Sequence, residues 1–336
     1  MKAYEVQQFG IENLALVDRS TPEPGESQVL VNFKAAALNY RDLMVVTGTY
    51  NPRMKLPAVP VSDGAGEVAA VGSAVTKWKA GDRVMPIFAQ GWIDGAVTEE
   101  KRRTSLGADA RNDGVLREYG AFDQEGLLRI PDHLSYEEAA TLPCAAVTAW
   151  HALSVSGNLK AGDTVLTLGT GGVSIFALQL ARLFGARVIA TTSSDEKAER
   201  LRSLGASDAI NYNSREDWDA AVLDLTGRNG VDHVVEVGGA GTLARSLSAV
   251  RLGGHVAMIG ALTGPADFNP ISVFMKAVRL QGIFVGSRSM FEDMLRGVEV
   301  GKLKPEIDRV FEFDGAREAM QYMQSGAHFG KVVIRI

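Results

Sequence analysis

The chain has 336 residues, 46% of them hydrophobic and 22% charged, with a net charge of -5. That length suits two domains and that composition an ordinary globular core, while the mild acidic balance and scattered basic residues exclude a nucleic-acid-binding stripe. A single cysteine, Cys144, excludes an internal disulfide and a cysteine-rich zinc lobe.

The first ~130 residues read as β-rich. Strand-like runs at Val29–Phe33, Gly66–Val71 and Arg83–Pro86 are set apart by turn signals such as Pro22-Glu23-Pro24-Gly25 and Ala80-Gly81-Asp82. Residues 88–118 read as loop, and the short basic cluster Lys101-Arg102-Arg103 is offset by Glu99 and Glu100. From Asp163 the pattern changes. Short apolar runs at Thr164–Leu168, Val188–Thr192, Ala209–Tyr212, Val231–Val237 and His255–Ile259, with a sixth at Val278–Ile283, alternate with helical periodicity. Such alternation predicts βαβ units and a parallel sheet, hence an α/β fold. A helix is expected from about Val173 to Phe184, closed by Gly185, and a second from Ser193 with Glu196 as its capping-box partner, closed by Gly205. After Ser289 the order is helix, strand, helix, strand, ending on Val332-Val333-Ile334. The N-terminus lacks the apolar stretch of a secretory signal, and no run of about 18 apolar residues predicts a membrane span. The expectation is a cytoplasmic protein with no membrane partner.

The run Gly169-Thr170-Gly171-Gly172-Val173-Ser174 falls between a buried strand and an amphipathic helix. A dinucleotide site needs a tight turn, backbone close to the pyrophosphate and a helix N-terminus aimed at it. These residues supply all three, although Ser174 stands where glycine or alanine is usual. The next strand ends Ala190-Thr191-Thr192-Ser193-Ser194 with no acid for a ribose 2′-hydroxyl. Ser193, Ser194 and Lys197 would suit a 2′-phosphate instead, which points to NADP(H) over NAD(H). The alternative is that Ser193 only caps the helix and Lys197 is solvated.

At this point the sequence resembles the medium-chain dehydrogenase/reductase superfamily, in its zinc-independent quinone-oxidoreductase-like branch. The marks, in order, are Ala37-Leu38-Asn39-Tyr40-Arg41-Asp42, the stretch Pro60-Val61-Ser62-Asp63-Gly64-Ala65-Gly66-Glu67-Val68, Gly81-Asp82-Arg83-Val84, Glu138-Ala139-Ala140-Thr141-Leu142-Pro143, the glycine loop, and Lys331 in Phe329-Gly330-Lys331-Val332-Val333. They run along essentially the whole chain. The resemblance implies a GroES-like catalytic domain from residues 1–128 and 288–336, and a Rossmann doubly wound domain from 129–287. It places Asn39 and Ser62 where zinc-dependent members have cysteine and histidine, and leaves only Cys144 of three ligands, so no zinc is expected.

The resemblance further implies a nicotinamide-facing role for Thr148, and a substrate pocket lined by Asn39, Tyr40 and Asp42 with Tyr50 near its mouth. Tyr212 would lie beside the adenosine phosphate. Gly238, Gly239, Ile259, Gly260, Phe284, Val285 and Gly286 would follow the cofactor's ribose and nicotinamide, and Lys331 closes the cofactor set. Bland alternatives stand beside these: Asn39 satisfying a turn, Tyr40 and Tyr50 as packing residues, Arg41 and Asp42 as a local ion pair. The expected reaction is hydride reduction of a quinone or α,β-unsaturated carbonyl compound, with Asn39 and the Tyr40 or Tyr50 hydroxyl polarising the oxygen. The alternatives are a zinc-free alcohol dehydrogenase-like carbonyl reductase, or an NADPH-binding sensor without turnover. A homodimer or homotetramer is expected through the edge strand Val278–Ile283.

Overall fold

The computed structural model describes residues 1–260, 262–264 and 269–336. The chain divides into two compact units, Met1–Val147 with Gly286–Ile336, and Thr148–Val285.

The first unit is built on antiparallel strands. They are β1 (Lys2–Val6), β2 (Leu14–Asp18), β3 (Gln28–Ala37), β4 (Asp63–Val71), β5 (Arg83–Pro86), β6 (Tyr119–Asp123) and β7 (Leu127–Arg129). β1 and β2 form a ribbon of their own; the rest pair around β3, which at ten residues is the longest strand. Its alternating Val29, Val31 and Phe33 pack inward with Val68, Val84, Leu116 and Phe122. The expected strands Val29–Phe33 and Gly66–Val71 are each longer in the structure, because glycine and alanine in Ala35-Ala36-Ala37 and Gly64-Ala65-Gly66 still pair across β3 and β4. Weak β propensity is overridden there by pairing and burial. The ribbon β1–β2 and strands β6 and β7 carry no strong period-two signal and escape the sequence pattern.

The second unit holds β8 (Thr164–Thr167), β9 (Arg187–Thr192), β10 (Asp208–Asn211), β11 (Val231–Glu236), β12 (Val250–Met258) and β13 (Arg279–Gly282). All six are parallel, in the order β10-β9-β8-β11-β12-β13. Strands covered on both faces read as continuous apolar runs, and Leu166, Ile189, Val234 and Val256 form the core accordingly. The order reverses between β8 and β11, and in open α/β sheets the crevice at that reversal is where ligands bind. β12 begins at Val250 rather than His255: a register shift in its pairing with β11 carries it through Gly253 and Gly254.

The chain then returns to the first unit through the helix Arg288–Gly301, β14 (Ile307–Phe311), the helix Ala316–Gln324 and β15 (Lys331–Arg335). β15 pairs antiparallel with β3, so the C-terminal strand completes the first unit's sheet. Among the described residues no helix is long and apolar enough to cross a membrane.

Candidate functional site

In the second unit, the loops after β8 and β11 flank the reversal point. Gly169 follows β8 with φ +70°, a conformation that disfavours any side chain. Its N–H donates to Thr191 Oγ1 at 3.2 Å, which ties the turn to β9. Gly171 is different. Its φ of -74° is ordinary, and a Cβ there would meet nothing within 4 Å. Among the described residues nothing demands glycine at Gly171, so the open space beside it fits a cofactor that approaches the backbone. The helix Gly172–Leu183 starts immediately after, presenting unpaired N–H groups and its positive dipole end. Ser174 is buried, and its hydroxyl donates to Leu168 O at 2.7 Å. It fastens the helix to the end of β8, which accounts for a serine at a position where small residues are usual.

β11 ends on Glu236, which has no exposed surface. Its Oε1 accepts from Gly238 N at 2.8 Å, Gly239 N at 2.9 Å and Thr242 Oγ1 at 2.6 Å, and Ser246 Oγ donates to Oε2. One buried carboxylate therefore holds the whole turn. Its signal was present in the sequence, as an acid just before Gly238-Gly239, but only the fold turns it inward. Gly260, after β12, is required by close approach: a Cβ there would lie 2.0 Å from Val237 O. Val285 has φ +37°, unusual for a β-branched residue, and its carbonyl lies 2.8 Å from His151 Nδ1. Thr148 is buried at the start of this unit, and Phe284 is half-buried. Gly286 is the first residue after the unit and is crowded by Val147.

The second helix is capped by Ser194, whose Oγ accepts from Lys197 N, and not by Ser193. The expected start is one residue early, because Ser193 carries the preceding loop contact, its carbonyl accepting from Asn213 Nδ2 at 2.7 Å. Asp195 is exposed and accepts from Asn211 Nδ2 at 2.8 Å. Tyr212 is partly exposed just past β10. Residues 261 and 265–268, which follow Gly260, lie outside the described residues.

The first unit gathers a second group. Asn39 precedes the helix Tyr40–Val46, and its N–H donates to Asp42 Oδ2 at 2.8 Å. Asn39 and Asp42 thus cap the helix reciprocally, the turn contact expected of Asn39 included. The Asn39 side chain is held from both sides: Lys331 Nζ donates to its Oδ1 at 2.6 Å, and its Nδ2 lies 3.5 Å from Ser62 Oγ. Lys331 is buried and also donates to Leu38 O at 2.6 Å. Lys331 thus stands among the expected pocket residues of the first unit. Ser62 donates to Asp63 Oδ1 at 2.7 Å, and Asp63 Oδ2 accepts from Cys144 N at 3.0 Å. Burial pushes the Asp63 carboxyl up, and Lys331 opposes the rise. Asp63, inside a motif read for its family resemblance, was not singled out from sequence. Burial and Asp63 together push the Cys144 thiol well above its usual range, so it is a poor nucleophile. Tyr40 is 48% and Tyr50 39% exposed, and Arg41 Nη1 lies 3.7 Å from Asp42 Oδ1.

Residues 25–132 match the alcohol dehydrogenase GroES-like domain family, and residues 172–299 the zinc-binding dehydrogenase family. A zinc-type alcohol dehydrogenase-like protein of Schizosaccharomyces pombe is 42% identical, over 97% of this chain and 96% of that protein. The chain belongs to the medium-chain dehydrogenase/reductase superfamily. A 2-methylene-furan-3-one reductase of Solanum lycopersicum is 33% identical, over 99% of the chain and 79% of that protein. A solved NAD-dependent alcohol dehydrogenase is 35% identical with a TM-score of 0.92, covering 100% of both chains. As a medium-chain dehydrogenase/reductase, the protein is an NAD(P)H-dependent oxidoreductase, and its units are the GroES-like and Rossmann-type folds of that superfamily.

The family description implies zinc, and the donor set here does not fit it. Catalytic zinc takes three protein ligands from cysteine, histidine or carboxylate. The amide oxygen of Asn39 is already taken by a buried ammonium group, Ser62 is a neutral hydroxyl, and the Cys144 thiol is driven toward its protonated form. Among the described residues no three histidine, cysteine or acidic side chains come together as a ligand set.

Proposed function

We propose that the protein reduces a quinone or an α,β-unsaturated carbonyl compound with NADP(H), without zinc. The observation that carries this reading is the 2.6 Å contact between Lys331 Nζ and Asn39 Oδ1, which puts a cation where a metal ligand would stand. A fixed ammonium repels Zn²⁺, so the substrate oxygen needs hydrogen-bond donors instead.

Lys331 fixes which way the Asn39 amide faces, because an ammonium group has only donors and must meet the amide oxygen. Nδ2 then faces Ser62, at a long 3.5 Å, and the Asp63 carboxylate, and would turn an N–H from them to a substrate oxygen. The Tyr40 or Tyr50 hydroxyl would supply a second donor and the proton that quenches the product anion. Asp42 holds the backbone of Asn39 in place. Gly169, Thr170, Gly171, Gly172, Val173 and Ser174 would hold the cofactor's pyrophosphate, with Gly238, Gly239, Ile259 and Gly260 along its ribose. Thr148, Phe284, Val285 and Gly286 would face the nicotinamide. The bound cofactor supplies the hydride.

Ser193, Ser194 and Lys197, with no acid at the end of β9, support NADP(H); Asp195 is turned to Asn211 and away from that role. Tomato's enone reductase supports the enone class, while the NAD-dependent neighbour makes the cofactor a matter for direct measurement. Oxidation of NADPH and NADH in the presence of quinones, enones and aldehydes tests the reading. Turnover of a quinone or enone with NADPH, giving a saturated ketone in the enone case, is expected. Allylic alcohol as product would move the assignment to carbonyl reduction, a larger stability shift with NADH would reverse the cofactor, and NADPH binding with no turnover would leave a sensor.

A further inference from the structure

Arg41 is a charged group that the reading above does not use. It sits one residue into the helix Tyr40–Val46 with its side chain only 11% exposed. All three guanidinium nitrogens are buried, and none makes a hydrogen bond within the described residues. The nearest carboxylate oxygen, Asp42 Oδ1, is 3.7 Å away, beyond hydrogen-bond range, and is itself unsatisfied. Two aromatic rings flank the group: its carbon lies 5.0 Å from the Tyr50 ring centre and 4.7 Å from that of Phe88.

A buried guanidinium with five unmet donors is costly. Ring contacts and a loose ion pair offset part of that cost, yet they satisfy no N–H. The planar fork of donors matches a carboxylate, which accepts two parallel bonds. Neighbouring acids do not meet the fork: Asp42 binds the Asn39 N–H through Oδ2 and leaves Oδ1 3.7 Å from the guanidinium, and Asp63 is bound to Ser62, Asn39 and the Cys144 N–H. Of the flanking rings, Tyr50 is 39% exposed and forms the solvent side of the group, whereas Phe88 is buried. Arg41 also shares its electrostatic surroundings with Cys144, Asp63 and Lys331, so it belongs to the Asn39 group.

We propose that Arg41 is a carboxylate-binding residue of the substrate pocket, so that the preferred substrates are carbonyl compounds bearing an acid group, with Tyr50 swinging aside to admit it. This deepens the function proposed above and rests on it for the reaction, though not for the binding. The guanidinium meets the substrate's acid in the ground state, leaving Asn39 for the reacting oxygen.

The test pairs acetylacrylate with its methyl ester as substrates, and the saturated levulinate with methyl levulinate as unreactive ligands. In the wild type, kcat/KM should favour the acid over the ester by roughly ten- to a hundredfold, the worth of a charge-assisted bond. Arg41→Gln should abolish that ratio, and Arg41→Lys, which keeps the charge but not the fork, should retain only part of it. Levulinate, and not its ester, should raise the thermal midpoint of the NADPH-loaded wild type but not of Arg41→Gln. Equal treatment of acid and ester by the wild type, or a ratio unchanged in the variants, overturns the proposal even while ester turnover upholds the reductase. If no substrate turns over, the levulinate shift still decides the role of Arg41. Should Arg41→Gln fail to fold, the wild-type ratio and Arg41→Lys decide it.

Discussion

Asp42 shows how a single side chain ties pocket chemistry to stability. It has no exposed surface, and burial pushes its carboxyl up from 3.8 to about 6; Arg41 opposes the rise and Asp63 adds to it. Between those values the native chain holds a proton that the unfolded chain has released. Stability from this group is therefore fully present below the unfolded value and is lost as pH rises through about 6. Acids such as Asp82 and Asp232, held below their usual range, act in the opposite direction, so the raw pH profile mixes both signs. Asp42→Asn isolates the term, because the amide still accepts from the Asn39 N–H but cannot titrate. The wild type should lose on the order of 3 kcal/mol relative to Asp42→Asn between pH 4 and pH 7, for a shift of about two units. Urea unfolding of both proteins across that range checks it, and a difference independent of pH would refute a raised carboxyl. Asp42 itself was legible in the sequence through the motif around it. Its surroundings were not, because Lys331 meets Asn39 across 292 residues of chain and no local pattern announces such a contact.

At the scale of single elements, strand–turn–helix units were the most readable part of the chain. Apolar runs and glycine punctuation place β8, β9 and β11 and the intervening helix to within a residue or two. What periodicity cannot supply is the direction of a polar side chain in a loop. Ser193 and Ser194 look equivalent as caps until Asn213 claims the carbonyl of the first, and Glu236 looks like any strand-end acid until four donors close on it. The glycine loop illustrates the same division. Gly169 is explained by its own positive φ; Gly171 is explained by nothing among the described residues. Gly171→Ala should therefore shift the stability of the cofactor-free protein by less than about 1 kcal/mol, an N-cap change with no clash. The same substitution should weaken NADPH binding at least about tenfold, since a methyl group would fill the space where the pyrophosphate approaches. Gly169→Ala should instead destabilise the free protein by about 1 kcal/mol or more through strain. Calorimetric titration with NADPH beside thermal unfolding separates the two, and unchanged affinity in Gly171→Ala would remove this loop from the cofactor site.

At the scale of the whole molecule, the sheet of the second unit ends on an open edge among the described residues. β13 ends the six-stranded parallel sheet, with Arg279, Gln281 and Gly282 exposed and no strand on its outer side among the described residues. An open edge invites pairing with another chain unless charge, proline or a covering element protects it. Close in sequence, the short helix Ile271–Met275 exposes Phe274 at 65% and Met275 at 68%, while Leu252 in β12 is 69% exposed. Lys276, which would otherwise put a charge beside them, is turned inward to the carbonyls of Leu247, Ser248 and Val250. An unpaired edge beside exposed large apolar side chains has the character of an interface. The chain should accordingly run in light-scattering chromatography at a multiple of its 35.9 kDa mass, as a dimer or tetramer. Replacing both Phe274 and Met275 by Asp should shift it toward monomer. Because both side chains are exposed, the monomer itself should keep its fold, and only the concentration dependence of its thermal midpoint should vanish. A wild type that stays monomeric at all concentrations, or a double variant that assembles as before, would show that this edge is not where copies of the chain meet.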